Sequence, residues 1–233
     1  MKTIGLLGGM SYESTLEYYR MINKKINNKL GKLHSGKILL YSFDFKEIES
    51  LQSNNNWNEL GIILGEKSKQ LSDFGADYIA ICTNTMHKLV DQISIFTDTP
   101  ILHISDAVGQ SINNSKLKNI LLLGTKFTMK QDFYKKILIE KYNLNITIPN
   151  EEEMNNIHSI IYNELCLGIV SSDSKKKFID IINSYNIEGV ILGCTEIQML
   201  ISQKDFSNSL NNIKIFDSTE IHCDYIVSKM LEY

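Results

Sequence analysis

The sequence has no long hydrophobic run and no strong excess of one charge. None of its apolar runs approaches the roughly 20 residues that a membrane-spanning helix requires. The formal net charge is −3, and no basic run is present that would suit a nucleic-acid surface. The N-terminal apolar run is too short for a secretory signal. We therefore expect a cytoplasmic protein of 233 residues without a membrane or nucleic-acid partner.

The sequence is also poor in arginine and cysteine, and it lacks the glycine pattern of a nucleotide-binding loop. Arg20 is the only arginine. Four widely spaced cysteines indicate free thiols rather than a disulfide framework, and no pair has zinc-site spacing: Cys82, Cys166, Cys194 and Cys223. The segment 5–10 lacks the third and sixth glycines of a dinucleotide fingerprint, and it has no Walker lysine. The sequence thus predicts neither a metal nor a nucleotide cofactor.

Short apolar runs alternate with longer amphipathic segments, which is typical of parallel α/β proteins. Strands are predicted at residues 4–7, 38–43, 78–81, 101–104, 120–123, 144–148, 190–192 and 213–216. Helices are predicted at residues 12–30, 53–74, 126–142, 154–166 and 175–187, and after the last strand as far as residue 231. Ser11 and Gly31 are the expected N- and C-terminal caps of the first helix.

The two halves of the chain repeat one another. The Cys-Thr turns at Cys82 and Cys194 have the same separation as the predicted strands that begin at Ile101 and Ile213. We infer two pseudo-symmetric α/β lobes, residues 1–104 plus about 214–233 and residues 105–213. Each lobe would carry its turn at the carboxyl end of a strand, where open α/β sheets bind ligands. The predicted active site lies in the cleft between the lobes.

The paired cysteines are the main candidates for chemistry. A single cysteine after a strand is usually a buried, inert residue, whereas two at matched places favour a two-sided proton transfer at carbon. Helix N-terminal amides beside them would lower the thiol pKa and bind a carboxylate. His87 and His103 could form a Cys/His pair, but we interpret them as structural. Short polar residues at strand ends either cap helices or hold a carboxylate and an amine: Asn84, Thr85, Thr125 and Thr195.

Three segments resemble the aspartate/glutamate racemases that need no pyridoxal phosphate. They read IGLLGGMSYEST at residues 4–15, ICTNTMHK at 81–88 and LGCTEI at 192–197. The resemblance implies two Rossmann-like lobes, two opposed catalytic thiols and no cofactor. We also expect a homodimer.

The chain departs from the common pattern of that family. Thr83, rather than Cys82, stands directly before Asn-Thr, and Cys166 stands where the family usually has a lysine. These departures resemble a bacterial branch of L-aspartate/glutamate-specific racemases, in which a threonine faces a cysteine. That resemblance implies that Met10 and Gln52 contact the substrate.

The predicted function is a cofactor-independent racemase of aspartate or glutamate. Cys194 would serve one face of the α-carbon, and Thr83, or alternatively Cys82, the other. Asn84, Thr85, Thr125 and Thr195 would bind the α-carboxylate and amine. Two alternatives stay open: a related maleate isomerase or decarboxylase, and a non-catalytic protein that binds a small carboxylate.

Overall fold

The computed structural model describes residues 1–206 and 213–232. These residues form two compact units, the first made of residues 1–103 and the residues from His222 onward, the second of Ile104–Ile221. Each unit contains one parallel β-sheet with flanking helices. In the described part of the chain, no helix combines the length and the apolar character that crossing a bilayer demands.

The first unit is built on a three-stranded sheet of order β2-β1-β3. Its strands are β1 (Ile4–Gly8), β2 (Ile38–Ser42) and β3 (Tyr78–Ile81). Its helices are α1 (Tyr12–Leu30), α2 (Phe45–Ser53), α3 (Trp57–Asp73), α4 (Val90–Ile93) and the larger part of α10 (Ser218–Leu231). All five residues of β1 are buried, which explains why this strand reads as a continuous apolar run.

The second unit repeats this plan with one additional strand, in the order β5-β4-β6-β7. Its strands are β4 (Asn119–Gly124), β5 (Asn145–Thr147), β6 (Gly189–Gly193) and β7 (Lys214–Asp217). Its helices are α5 (Ile104–Ser115), α6 (Lys126–Lys130), α7 (Asp132–Glu140), α8 (Glu151–Asn163) and α9 (Ser172–Asn183). The predicted fold class, two parallel sheets flanked by helices, is confirmed.

The caps of α1 are as predicted. The Ser11 side chain accepts a hydrogen bond from the Ser14 amide at the N-terminus, and Gly31 ends the helix with a φ of 75°. Tyr18 and Ile22, four residues apart on one side of the helix, are fully buried. Capping and periodicity therefore determine this helix locally.

Two predictions about elements are wrong, and some helices were not predicted. Residues 101–104 form only an isolated bridge between Ile79 and Ile101, and α5 begins at Ile104. The Ile79 amide donates to the Pro100 carbonyl, and the Leu102 amide donates to the Ile79 carbonyl. Pro100 has no amide hydrogen to extend the ladder on one side, and on the other side the Leu102 carbonyl accepts a hydrogen bond from His222. The helix predicted at 126–142 is two helices, because Gln131 is extended. Helices α2, α4 and α5 were not predicted.

The predicted lobe boundary near residue 214 differs from the structure. β7 pairs with β6 in parallel, from Gly189 opposite Lys214 to Leu192 opposite Asp217. Residues 214–221 consequently belong to the second unit rather than to the first. The boundary falls inside α10, at a position where the sequence changes neither composition nor periodicity.

The turn after β1 should be intolerant of any side chain at Gly9. Gly9 has a φ of +83°, and an added Cβ would lie 2.3 Å from the backbone oxygen of Phe43. Gly75 also has a positive φ, +96°, but an added Cβ there meets no atom within 4 Å. Gly75→Ala should cost about 1–2 kcal/mol of unfolding free energy through backbone strain alone. Gly9→Ala should cost about 1–3 kcal/mol more, because backbone must also move. Urea titration of both variants tests this, and equal losses would contradict it.

Candidate active site

Two polar turns follow equivalent strands of the two sheets. Residues 82–84 follow β3 and lead into a 3₁₀ helix at Thr85–Leu89. Residues 194–196 follow β6 and lead into a 3₁₀ helix at Ile197–Met199. Both turns therefore lie at the carboxyl edge of a parallel sheet, where α/β folds place ligand-binding residues.

Cys82 is part of the apolar core of the first unit. Its side chain is 0% exposed and packs in a cluster that contains Leu6, Tyr18 and Cys223. Burial raises the pKa of the Cys82 thiol, because the core offers an anion no solvation. The thiol is thus held neutral, away from the polar groups of the turn.

Thr83 differs from Cys82 in exposure and in backbone contacts. Its side chain is partly exposed, and its carbonyl oxygen accepts a hydrogen bond of 2.8 Å from Nδ1 of His87. The preceding carbonyl, that of Cys82, accepts a 2.8 Å bond from the Ser14 hydroxyl. Two consecutive carbonyls of this turn are therefore fixed by side chains.

The other site residues predicted in the first unit are all buried. Asn84 and Thr85 directly follow Thr83, and Met10 lies two residues beyond the end of β1. Because β1 and β3 are adjacent parallel strands, these residues share one edge of the sheet. Gln52 is also buried, but it lies on α2.

In the second unit, the Cys194 thiol is hydrogen-bonded to a carboxylate. Its Sγ donates to Oε2 of Glu196 across 3.0 Å, and the Thr195 hydroxyl donates to the same oxygen across 2.8 Å. Cys194 is partly exposed, whereas Glu196 is only 4% exposed. A nearly buried carboxylate therefore lies within proton-transfer distance of a partly accessible thiol.

The environment raises the pKa of Cys194, opposite to the lowering that the sequence predicts. Burial is the largest cause, and the negative charge of Glu196 and the neighbouring Cys166 add to it. The following 3₁₀ helix has only three residues, so its N-terminal amides offer little compensation. Burial and Glu196 likewise raise the pKa of Cys166, to about 12. The resting Cys194 side chain is thus a protonated thiol.

Thr125 caps α6. Its Oγ1 accepts a 3.3 Å hydrogen bond from the Thr128 amide and lies 3.2 Å from the Thr128 hydroxyl. It follows β4, the strand that pairs with β6, so Thr125 shares the sheet edge with Cys194. These contacts are those of a helix cap, one of the two roles that the sequence allowed for Thr125.

Glu196 is the residue that sequence reasoning did not select. The Cys-Thr-Glu order was visible, but a glutamate two residues after a cysteine is ordinarily a solvated side chain. Only the turn geometry places its carboxylate on the thiol. The four cysteines, which all lie in the described part of the chain, form no disulfide.

Comparison with known proteins identifies the family. The model of the Asp/Glu/hydantoin racemase family matches residues 7–226, so the chain belongs to this family. Family membership supports a racemase function, which is an isomerase activity.

Solved structures with the same fold match this chain over its whole length. An inferred Asp/Glu racemase from Yersinia pestis is 41% identical, with a TM-score of 0.91 and complete coverage of both chains. An aspartate racemase homologue from Pyrococcus horikoshii is 36% identical, with a TM-score of 0.85 and complete coverage of both. A broad specificity amino-acid racemase of Bacillus subtilis is 26% identical over 138 residues, 58% of this chain and 60% of that protein. The chain therefore matches only about three-fifths of this curated relative's length.

The hydrogen bond between Cys194 and Glu196 predicts a shift in thiol reactivity. Glu196→Gln removes the negative charge that raises the thiol pKa, so the pH midpoint of Cys194 alkylation by iodoacetamide should fall. Glu164→Gln is the matched control, because Glu164 accepts a bond from Ser174 instead. Mass spectrometry of the peptide that contains Cys194 separates its rate from that of Cys166. An unchanged midpoint in Glu196→Gln would contradict the assigned role.

Proposed function

We propose that this chain is a cofactor-independent racemase that interconverts the L- and D-forms of aspartate or glutamate. The observation that carries the proposal is the 3.0 Å bond between the Cys194 thiol and Glu196, in a chain of the racemase family. Racemisation requires removal of the α-hydrogen as a proton and its return to the opposite face. The Cys194–Glu196 pair can both accept and donate a proton.

The first half of the reaction is assigned to this pair. Glu196 accepts the thiol proton, which leaves a Cys194 thiolate beside a neutral carboxylic acid. The thiolate then takes the α-proton, and the electron pair of the C–H bond stays on the substrate as a carbanion. In the opposite direction, the thiol gives its proton to the carbanion and Glu196 gives its own to the sulfur. Charge is conserved in each step.

The second half is assigned to Thr83 rather than Cys82. The core position of Cys82 favours this choice, because a fully buried thiol in an apolar cluster cannot meet a polar substrate. Thr83 is partly exposed and its backbone is fixed. A hydroxyl is a very weak acid, so Thr83 would give its proton to the carbanion only as it takes another from solvent. The Cys194–Glu196 pair would return its extra proton to solvent, which restores the resting protein.

The remaining predicted residues are proposed to hold the substrate. Asn84, Thr85, Thr125 and Thr195 would bind the α-carboxylate and the amine, in part through their backbone amides. Met10 and Gln52 would line the side-chain pocket. Arg20 pairs with Glu17 on the exposed surface of α1, so we assign it no part in recognising the distal carboxylate.

Chiral analysis of a panel of amino acids, with no cofactor added, tests the proposed function. The panel includes aspartate, glutamate and uncharged amino acids, because the Bacillus subtilis relative is named for broad specificity. Racemisation of any of them supports the proposal and ranks the substrates. Conversion of maleate or release of carbon dioxide, without racemisation, would support the related isomerases and decarboxylases instead.

Substitutions should separate the two candidate residues of the first unit. Cys194→Ala and Thr83→Val should each lower kcat by about 10²–10⁴-fold, the usual contribution of a general acid or base. Cys82→Ala is the matched control and should keep most of the activity. A harmless Thr83→Val together with an inactive Cys82→Ala would reverse the assignment. Urea titration of each variant separates lost chemistry from lost folding.

Isotope exchange tests whether two groups act. L-substrate incubated in heavy water should give D-product that carries deuterium at the α-carbon from the first turnover. The incoming hydrogen would come from a side chain that has exchanged with solvent, not from the substrate itself. Early D-product that retains the original α-hydrogen would contradict the two-group mechanism, even if racemisation were observed. A binding protein would exchange no α-hydrogen.

A further inference from the structure

His87 is a buried side chain whose Nδ1 makes a hydrogen bond of defined direction. It lies in the 3₁₀ helix at Thr85–Leu89 and is 2% exposed. Its Nδ1 is 2.8 Å from the carbonyl oxygen of Thr83. Because a carbonyl can only accept, Nδ1 carries the hydrogen, and Nε2 of the neutral ring carries none. Within residues 1–206 and 213–232, Nε2 has no hydrogen-bond partner.

The surroundings keep this ring neutral. Burial lowers the pKa of His87 most, and the nearby rings of His103 and His222 lower it further. Their centroids are 4.7 and 5.7 Å from that of His87. The carbonyls of Thr83 and Asn84 oppose the shift but do not outweigh burial. A neutral ring carries a single ring N–H hydrogen, and the bond to Thr83 keeps it on Nδ1.

His222 is itself held in one tautomer. Its Nε2 lies 2.8 Å from the carbonyl oxygen of Leu102, so Nε2 donates, and its Nδ1 accepts from the Tyr18 hydroxyl at 2.8 Å. The ring of His222 is 0% exposed. One side of the His87 ring thus packs against a side chain that two hydrogen bonds fix in place.

We propose that His87 is a positioning residue for Thr83, whose carbonyl it holds so that the hydroxyl stays in the geometry needed for proton transfer. The inference rests on the proposed racemase function. Proton transfer requires close alignment, and a displacement of about 1 Å can cost about 10²-fold in rate. The Ser14 bond holds only the Cys82 carbonyl, which precedes Thr83. The orientation of the peptide group that follows Thr83 therefore depends on the His87 bond.

Two amide variants separate positioning from simple packing. In His87→Asn the side-chain NH₂ takes the place of Nδ1 and can still donate to Thr83. In His87→Gln the NH₂ takes the place of Nε2, and the Thr83 carbonyl loses its donor. We expect His87→Gln to lower kcat by about 10²-fold with little change in KM, and His87→Asn to keep most of the activity. Equal losses in the two variants would overturn the proposal.

A double-mutant cycle provides a readout that a purely structural role would not move. In the Thr83→Val background there is no hydroxyl to position, so His87→Gln should cause little additional loss of kcat. The same additional loss in both backgrounds would overturn the proposal. Urea titration should give similar stabilities for His87→Asn and His87→Gln.

Imidazole nitrogen chemical shifts distinguish failure of this inference from failure of the proposed function. At neutral pH they should show His87 as the Nδ1–H tautomer, whether or not the protein racemises any amino acid. If the wild-type protein had no racemase activity, the proposed function would be wrong, but the contact between His87 and Thr83 could still be measured. An Nε2–H tautomer at neutral pH would overturn the inference directly, because Nδ1 would then have no hydrogen to donate to Thr83.

Discussion

Parallel pairing of buried strands is the constraint on which both units depend. In the first unit, β1 pairs with β3 from Ile4 opposite Tyr78 onward, and in the second β4 pairs with β6 from Ile120 opposite Gly189. Parallel neighbours end at the same edge, so segments distant in sequence become adjacent there. The cap at Thr125 and the turn at Cys194 are one such pair. Antiparallel pairing of the same strands would place them at opposite edges.

The surroundings then distinguish two thiols that match in sequence. Cys82 and Cys194 have the same sequence context, an apolar strand before them and a threonine after them. Burial raises the pKa of both. Of these two thiols, that of Cys194 donates to a carboxylate, and Cys194 is partly exposed whereas Cys82 is buried. The matched sequence positions therefore have different chemical properties, which a repeat in the sequence cannot reveal.

The fold could be predicted largely because its signals are local. Apolar runs, caps and the repeated Cys-Thr turns lie within short windows, and they were sufficient for the parallel α/β class. The errors occur where local signals conflict. Residues 101–104 look like a strand but follow a proline, and α5 begins inside the apolar run that suggested the strand. The hydrogen bonds from Cys194 to Glu196 and from His87 to Thr83 depend on turn geometry, which composition and periodicity do not encode.

The raised pKa of Cys194 has a consequence for the proposed proton transfer. Each unit of increase makes formation of the free thiolate about 1.4 kcal/mol less favourable, while it makes that thiolate a stronger base. Glu196 changes this balance, because a proton moved within the hydrogen bond leaves the net charge of the pair unchanged. The negative charge only shifts from the carboxylate to sulfur. A bound amino acid carries an α-ammonium group, and a cation closer to sulfur than to Glu196 favours the charge on sulfur. In the proposed reaction, the substrate itself would therefore promote formation of the base, and the thiol would stay protonated in its absence.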